Sequence, residues 1–329
     1  MQLLFQNSLV ATKNIIMKRL LVLCLTLLIS SNFIAQTTEL GTVKWMRDYD
    51  KAIEKANALG KPIFILFQEV PGCATCRNYG SNVLSEPLIV DAIESYFIPL
   101  AIYNNKGGED AKILKKYNEP SWNNPVVRIV DHKGEPLAKR LAGSYSTDGL
   151  VNYMADAFPK TNQAIPHFLA YLQDAYTLNY HQVETVDFSM YCFWSGEGHL
   201  GSAQGVVSTE PGFKNGKEVV RVKYDPTKTN KKKLNKYAKK ANLSLMDKAG
   251  EFRSDKDPQY YLKQSVYRYL ALSVNQRTKI NSMLANRENP SDILSPKQLA
   301  YLEYVKNIAS AEVLYDQDFK TVWQKMDLM

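Results

Sequence analysis

The run Ile63-Phe64-Ile65-Leu66-Phe67 constrains the fold more than any other segment of the chain. Continuous apolar sequence of this length, closed by Val70-Pro71-Gly72, suits a strand covered on both faces. Such a strand needs a layer of helices on each side, and the flanking sequence supplies them. Residues Val43 to Leu59 place Trp45, Tyr49, Ile53 and Ala56 at helical spacing, and Gly60-Lys61-Pro62 ends that helix. Further elements are predicted at Leu88 to Tyr96 (helix), Phe97 to Ile102 (strand) and Val126 to Val130 (strand). A turn at His132-Lys133-Gly134 and a return strand from Pro136 to Leu141 follow. Alternation of this kind specifies an α/β fold.

A second α/β pattern begins near Val183, and Val219 to Val222 reads as one of its strands. Residues 160–182 look helical and are expected to link the two. Lys228 to Lys240 reads as a solvated helix face, and mainly helical sequence follows. The 329 residues allow about two domains. The expected division is a signal peptide at 1–35, a first domain at 36–160 and a helical linker at 161–183. A second, α+β domain at 184–285 and a C-terminal helical extension at 286–329 complete it.

The signal is read from Lys18-Arg19, the short apolar stretch Leu20 to Ile29, and the polar residues Ser30 to Gln36, with cleavage after Ala35 and a start at Met17. Ten residues fall well short of the ~20 needed to span a bilayer. An extracytoplasmic location, periplasmic or secreted, follows, with no stable membrane association once the signal is removed. Lys13, Lys18 and Arg19 would leave with the N-terminal segment, lowering the formal charge from +8 to +5. That mild excess, without base-reading partners, gives no reason to expect nucleic acid.

Export also decides how the cysteines are read. Cys24 goes with the signal, leaving Cys73, Cys76 and Cys192. An odd number cannot form a closed disulfide framework. Cys73 and Cys76 follow a buried strand and open a helix, where backbone N–H groups favour thiolate over thiol. Cys73 is the expected nucleophile toward a substrate disulfide, and Cys76, one turn on, the resolving thiol. A zinc site would need further Cys or His ligands. No second close cysteine pair exists, so neither metal nor cofactor is expected.

This arrangement resembles the thioredoxin-like superfamily over about residues 40–158, through its topology, its CxxC position and Asn124-Pro125 before VVRIVD. The resemblance implies a cis-proline at Pro125 facing the pair and contributing to substrate binding. VPGCATC is similar to a thioredoxin-like group in which Cys or selenocysteine follows VPG. It lacks the Trp and the intervening Pro of WCGPC.

Cys192 lies in YCFWSGEGHLGSAQGVVSTEPGFKNG, which resembles the start of the A-type peptide-methionine sulfoxide reductases. Cys192, Phe193, Trp194, Glu197, Gly205, Val206, Gly216 and a Gly-aromatic turn at Gly212-Phe213 stand at the family's intervals. The match covers about residues 184–228. It implies that the Cys192 thiolate attacks a sulfoxide sulfur and that Glu218 protonates the oxygen. Phe193 and Trp194 would hold the substrate methyl group. Three features depart from the family. Tyr191 replaces the glycine before the nucleophile, a long loop before Glu218 is absent, and no cysteine follows Cys192.

Two functions therefore stand open. In one, an exported thiol-disulfide oxidoreductase is coupled to a methionine (S)-sulfoxide reductase, with Cys73 and Cys76 recycling Cys192. In the other, the second domain is inactive and only binds substrate or partner. Both imply oxidised protein or peptide substrates and an external thiol donor. The absent loop carries, in the family, a tyrosine that binds the sulfoxide oxygen; Tyr260 or Tyr261 is a candidate to replace its hydroxyl, and His199 is expected to face solvent.

Overall fold

A computed structural model describes residues 38–122, 124–308 and 310–327. The expected signal segment, with Cys24 and Ala35, lies outside the described residues. The described residues form one compact unit. No helix among the described residues is long and apolar enough to cross a membrane.

Helix α1 (Tyr49–Leu59) starts where the Asp48 side chain accepts from the Lys51 N–H and stops at Gly60, whose φ of 63° is left-handed. Strand β1 (Ile63–Gln68) is buried throughout. Then come α2 (Ala74–Asn82), α3 (Pro87–Tyr96), β2 (Ile98–Tyr103), α4 (Glu109–Lys116), β3 (Val126–Val130), β4 (Leu141–Ala142) and α5 (Thr147–Ala157). The sheet order is β2-β1-β3-β4, with β1 parallel to β2 and antiparallel to β3. Alternation along β1 divides its side chains between two cores. Phe64 and Leu66 enter one, Ile63, Ile65 and Phe67 the other. Each such side chain contributes about 1.5–3 kcal/mol by leaving water. The expected return strand from Pro136 is reduced to a bridge between Val130 and Pro136 and the two residues of β4. Pro136 has no N–H to continue a ladder.

The segment expected to link two domains belongs to the first core. Phe168, Leu169 and Leu172 of α6 (His167–Tyr176) pack in the same cluster as residues of α3 and α5. A second sheet is built from β5 (Glu184–Met190), β6 (Val206–Lys214), β7 (Lys217–Tyr224), β8 (Ser244–Leu245) and β9 (Phe252–Ser254). Its order is β8-β5-β7-β6-β9, antiparallel throughout. Helix α7 (Phe193–Gly201) follows β5, and α8 (Lys231–Ala238) buries Leu234 and Ala238 while its lysines face outward.

The C-terminal segment carries α9 (Tyr260–Lys263), α10 (Val274–Ala285), α11 (Pro296–Val305) and α12 (Phe319–Val322). Helix α10 lies against α7 so closely that a Cβ at Gly198 would stand 2.4 Å from Ala285 Cβ. Ile280 of α10, Leu302 of α11 and Val322 of α12 nevertheless join the core that contains Phe64 and Leu66. Two N-caps interlock beneath them. Ser273–Gln276 and Ser295–Gln298 each form a capping box, and the fully buried Gln276 and Gln298 carboxamides bond each other at 2.8 and 3.0 Å. Polar ties join this segment to α3. The Lys297 N–H donates to Asp91 at 2.9 Å, and Lys320 pairs with Glu86 at 3.0 Å. Described residues of the extension expected at 286–329 thus pack in the core that contains Phe64 and Leu66.

Candidate functional site

The link from β1 to α2 is tied down at each step. The buried Gln68 side chain donates to Glu39 O at 2.7 Å and to Cys76 O at 3.2 Å. The Glu39 carboxylate accepts from the Gly72 N–H at 2.9 Å. Only glycine fits at position 72, where a Cβ would stand 2.5 Å from Glu69 O and 2.7 Å from Cys76 Cβ. The Val70–Pro71 peptide is cis.

Cys73 is the N-cap residue of α2, extended at φ −68° and ψ 177°, and its side chain makes no capping bond. It is exposed, whereas Cys76 is fully buried, and their sulfurs lie 3.5 Å apart. A disulfide of ~2.05 Å requires them to close by about 1.5 Å. The Cys76 backbone N–H, aimed at the Cys73 sulfur, holds that thiol below its ordinary value. Burial, reinforced by the Cys73 side chain, pushes Cys76 up to about 12. The two thiols are chemically unequal, as nucleophile and resolver must be.

The Asn124–Pro125 peptide is cis, as expected, and Pro125 is buried at the start of β3. Asn124 Oδ1 accepts from Cys76 Sγ at 2.6 Å and from the Glu69 N–H at 3.4 Å. This loop therefore touches the buried cysteine. Trp122, two residues before Asn124, is 80% exposed. A carboxylate oxygen of Glu69 and the sulfurs of Cys73 and Cys76 lie within 4.8 Å of one another, a grouping able to hold a metal ion.

Cys192 occupies an equivalent place in the second sheet. It is the partly exposed N-cap residue of α7, extended at φ −133° and ψ 111°, again without a side-chain capping bond. Glu218 Oε2 accepts from the Phe193 N–H at 2.7 Å, which places the carboxylate at the start of the same helix. Register explains the placement: Glu218 of β7 lies opposite Met190 on one side and Phe213 on the other. Phe193 packs edge-on against Trp194 at 5.7 Å and against Phe213 at 5.4 Å. Cys192, Phe193, Trp194 and Glu218 thus converge on one helix start.

Several expectations change here. Tyr191, in place of the family's glycine, is 98% exposed. The Gly212-Phe213 pair lies within β6. The turn comes at Asn215-Gly216, whose φ values of 53° and 71° suit a two-residue hairpin. Tyr260 lies stacked on Trp194 at 4.2 Å, adding an aromatic wall. His199 is half-buried, stacked on Tyr237 at 4.4 Å and bonded to Tyr237 O.

Glu197, which sequence singled out only by its interval, is fully buried. It accepts from Gln259 N at 2.9 Å and from Thr209 at 3.2 Å, and burial raises its pKa to about 8. Those bonds hold the residue before Tyr260. Sequence reasoning also passed over Glu69 and Asn124. Their positions, in the link before VPG and directly before Pro125, were the available signals. All three described cysteines are free.

Comparison with known proteins covers the first of these sites. Residues 44–132 match a family described as thioredoxin-like, and this region is thioredoxin-like. One similar solved structure is a DsbH oxidoreductase, 18% identical, covering 39% of this chain and 94% of that one, with a TM-score of 0.31. No curated protein matches the chain.

Proposed function

We propose that the chain is an exported thiol-disulfide oxidoreductase whose second sheet carries a methionine (S)-sulfoxide reductase centre. The observation that carries the first half is the asymmetry of the pair: an exposed Cys73 at a helix start, 3.5 Å from a buried Cys76. The Cys73 thiolate attacks one sulfur of a substrate disulfide and expels the other as thiolate. Cys76 then attacks Cys73 Sγ, releasing reduced substrate and leaving a Cys73–Cys76 disulfide. The cis peptide before Pro125 and the thioredoxin-like match over residues 44–132 support this reading.

The second half is favoured by the Glu218 carboxylate at the helix start that bears Cys192. Cys192 attacks the sulfoxide sulfur while Glu218 delivers a proton to its oxygen. The sulfide departs and Cys192 is left as a sulfenic acid. Condensation with Cys73 releases water and forms a Cys73–Cys192 disulfide. Attack by Cys76 on Cys73 frees Cys192, and an external dithiol reduces the pair again. Phe193 and Trp194 flank the sulfur as apolar walls.

Trapping tests the whole sequence. A Cys76→Ser variant treated with a methionine sulfoxide peptide should accumulate the Cys73–Cys192 disulfide, within one chain or between two, read by peptide mapping. Its absence from monomer and dimer alike would remove the coupling. The second sheet would then be read as a binding element.

A further inference from the structure

The reaction just described uses both sulfurs of the pair and gives the Glu69 carboxylate no task. Glu69 directly follows β1, half-buried, and its N–H is held by Asn124 Oδ1, the atom that also accepts from Cys76. One of its carboxylate oxygens and both sulfurs lie within 4.8 Å of one another.

Those separations are close to the bite of a tetrahedral ion. With Zn–S near 2.3 Å and Zn–O near 2.1 Å, two ligand sulfurs stand about 3.8 Å apart and a sulfur and an oxygen about 3.6 Å. The observed 3.5 Å between sulfurs already matches. The carboxylate needs to approach by no more than about an ångström, within reach of a side-chain rotation. Two thiolates with one carboxylate suit zinc rather than calcium or magnesium, which take oxygen ligands. Cys73 is exposed, which leaves one side open to a water as fourth ligand.

We propose that Glu69, Cys73 and Cys76 form a zinc site in the reduced protein, and that bound zinc withholds the pair from disulfide exchange. The ion displaces the thiol protons as it binds, so up to two protons are released and no electron moves. Oxidation to the disulfide removes both thiolates and with them the site. The proposal rests on the redox reading only in requiring the pair to be reducible.

The test uses the full chain carrying Cys24→Ser and Cys192→Ser, so that only the pair offers thiols. Reduced and kept anaerobic, it is titrated with zinc chloride against a chromophoric chelator. One zinc per chain is expected, with proton release, and none after oxidation. Glu69→Gln should weaken binding by at least the ~10–100-fold that losing an outer-shell partner costs. X-ray absorption should show two sulfur ligands and oxygen neighbours. Failure of the reduced parent to compete, or undiminished affinity in Glu69→Gln, overturns the proposal. Exchange with a disulfide peptide is followed on the same parent. Exchange without zinc uptake refutes the zinc site alone, whereas zinc uptake without exchange refutes the redox reading alone.

Discussion

Two helix starts in this molecule are built alike and furnished differently. Cys73 and Cys192 each follow a strand, each serve as an extended N-cap residue, and neither spends its sulfur on capping. At the first of them the N–H groups of the helix start favour the Cys73 thiolate. What stands beside the sulfur separates the two. Cys73 has a second thiol one turn on, at 3.5 Å, whereas Cys192 has a carboxylate at the same helix start and a cluster of rings. A neighbouring thiol equips a nucleophile for sulfur–sulfur exchange. A neighbouring acid equips it to expel an oxide, which needs a proton to leave. Under the function proposed above, one backbone device serves two chemistries through its neighbours.

The sharpest test of that comparison is a crossed loss of activity. Cys73→Ser should abolish exchange with a disulfide peptide while leaving sulfoxide turnover by Cys192, measured with dithiothreitol as reductant. Cys192→Ser should do the reverse. Loss of both activities in either variant would merge the two sites into one. Glu218→Gln has a narrower expected effect: sulfoxide turnover falls by ~10²–10⁴-fold, the usual worth of a general acid. Disulfide exchange is unchanged, and both are read by product chromatography.

The smallest effect concerns pH. Burial raises Glu197 from 4.5 to about 8, so the folded chain binds a proton more tightly than the unfolded one. The stability this contributes is fully present below pH 4.5 and is lost as pH rises through about 8. The thermal midpoint should fall over that window, and Glu197→Gln should flatten the fall. An equally steep profile in the variant would assign the slope to other groups.

The first sheet was legible because its signals are local. Five apolar residues in Ile63–Phe67 give a strand with no exposed face, and Gly60 and Gly72 mark where the chain turns. The placement of Cys73 and Cys76 followed from these, and that of Pro125 from the family resemblance. What escaped was decided by distant partners. Nothing within 161–183 says that Phe168 and Leu172 pack with α3 and α5, and nothing near Pro296 says that α11 docks there. The Gly212-Phe213 turn was misplaced for a different reason. Spacing carried over from a family locates a residue along the chain, whereas positive φ at Asn215 and Gly216 decides where it reverses. Glu69 went unnoticed, and Asn124 was noted only for the proline after it, because each looks like an ordinary loop polar residue until the fold brings it to the cysteines.

The ties between α3 and α11 bear on how the chain acquires its shape during synthesis. Asp91 meets Lys297 across 206 positions of sequence, and the core below them mixes residues from both ends of that interval. At ~5–20 residues per second, a ribosome needs about 10–40 seconds to supply the later half after the earlier one has emerged. Until then that core lacks the side chains that α11 and α12 supply. The core around Phe64 and Leu66 is therefore completed only once the last helices have been made.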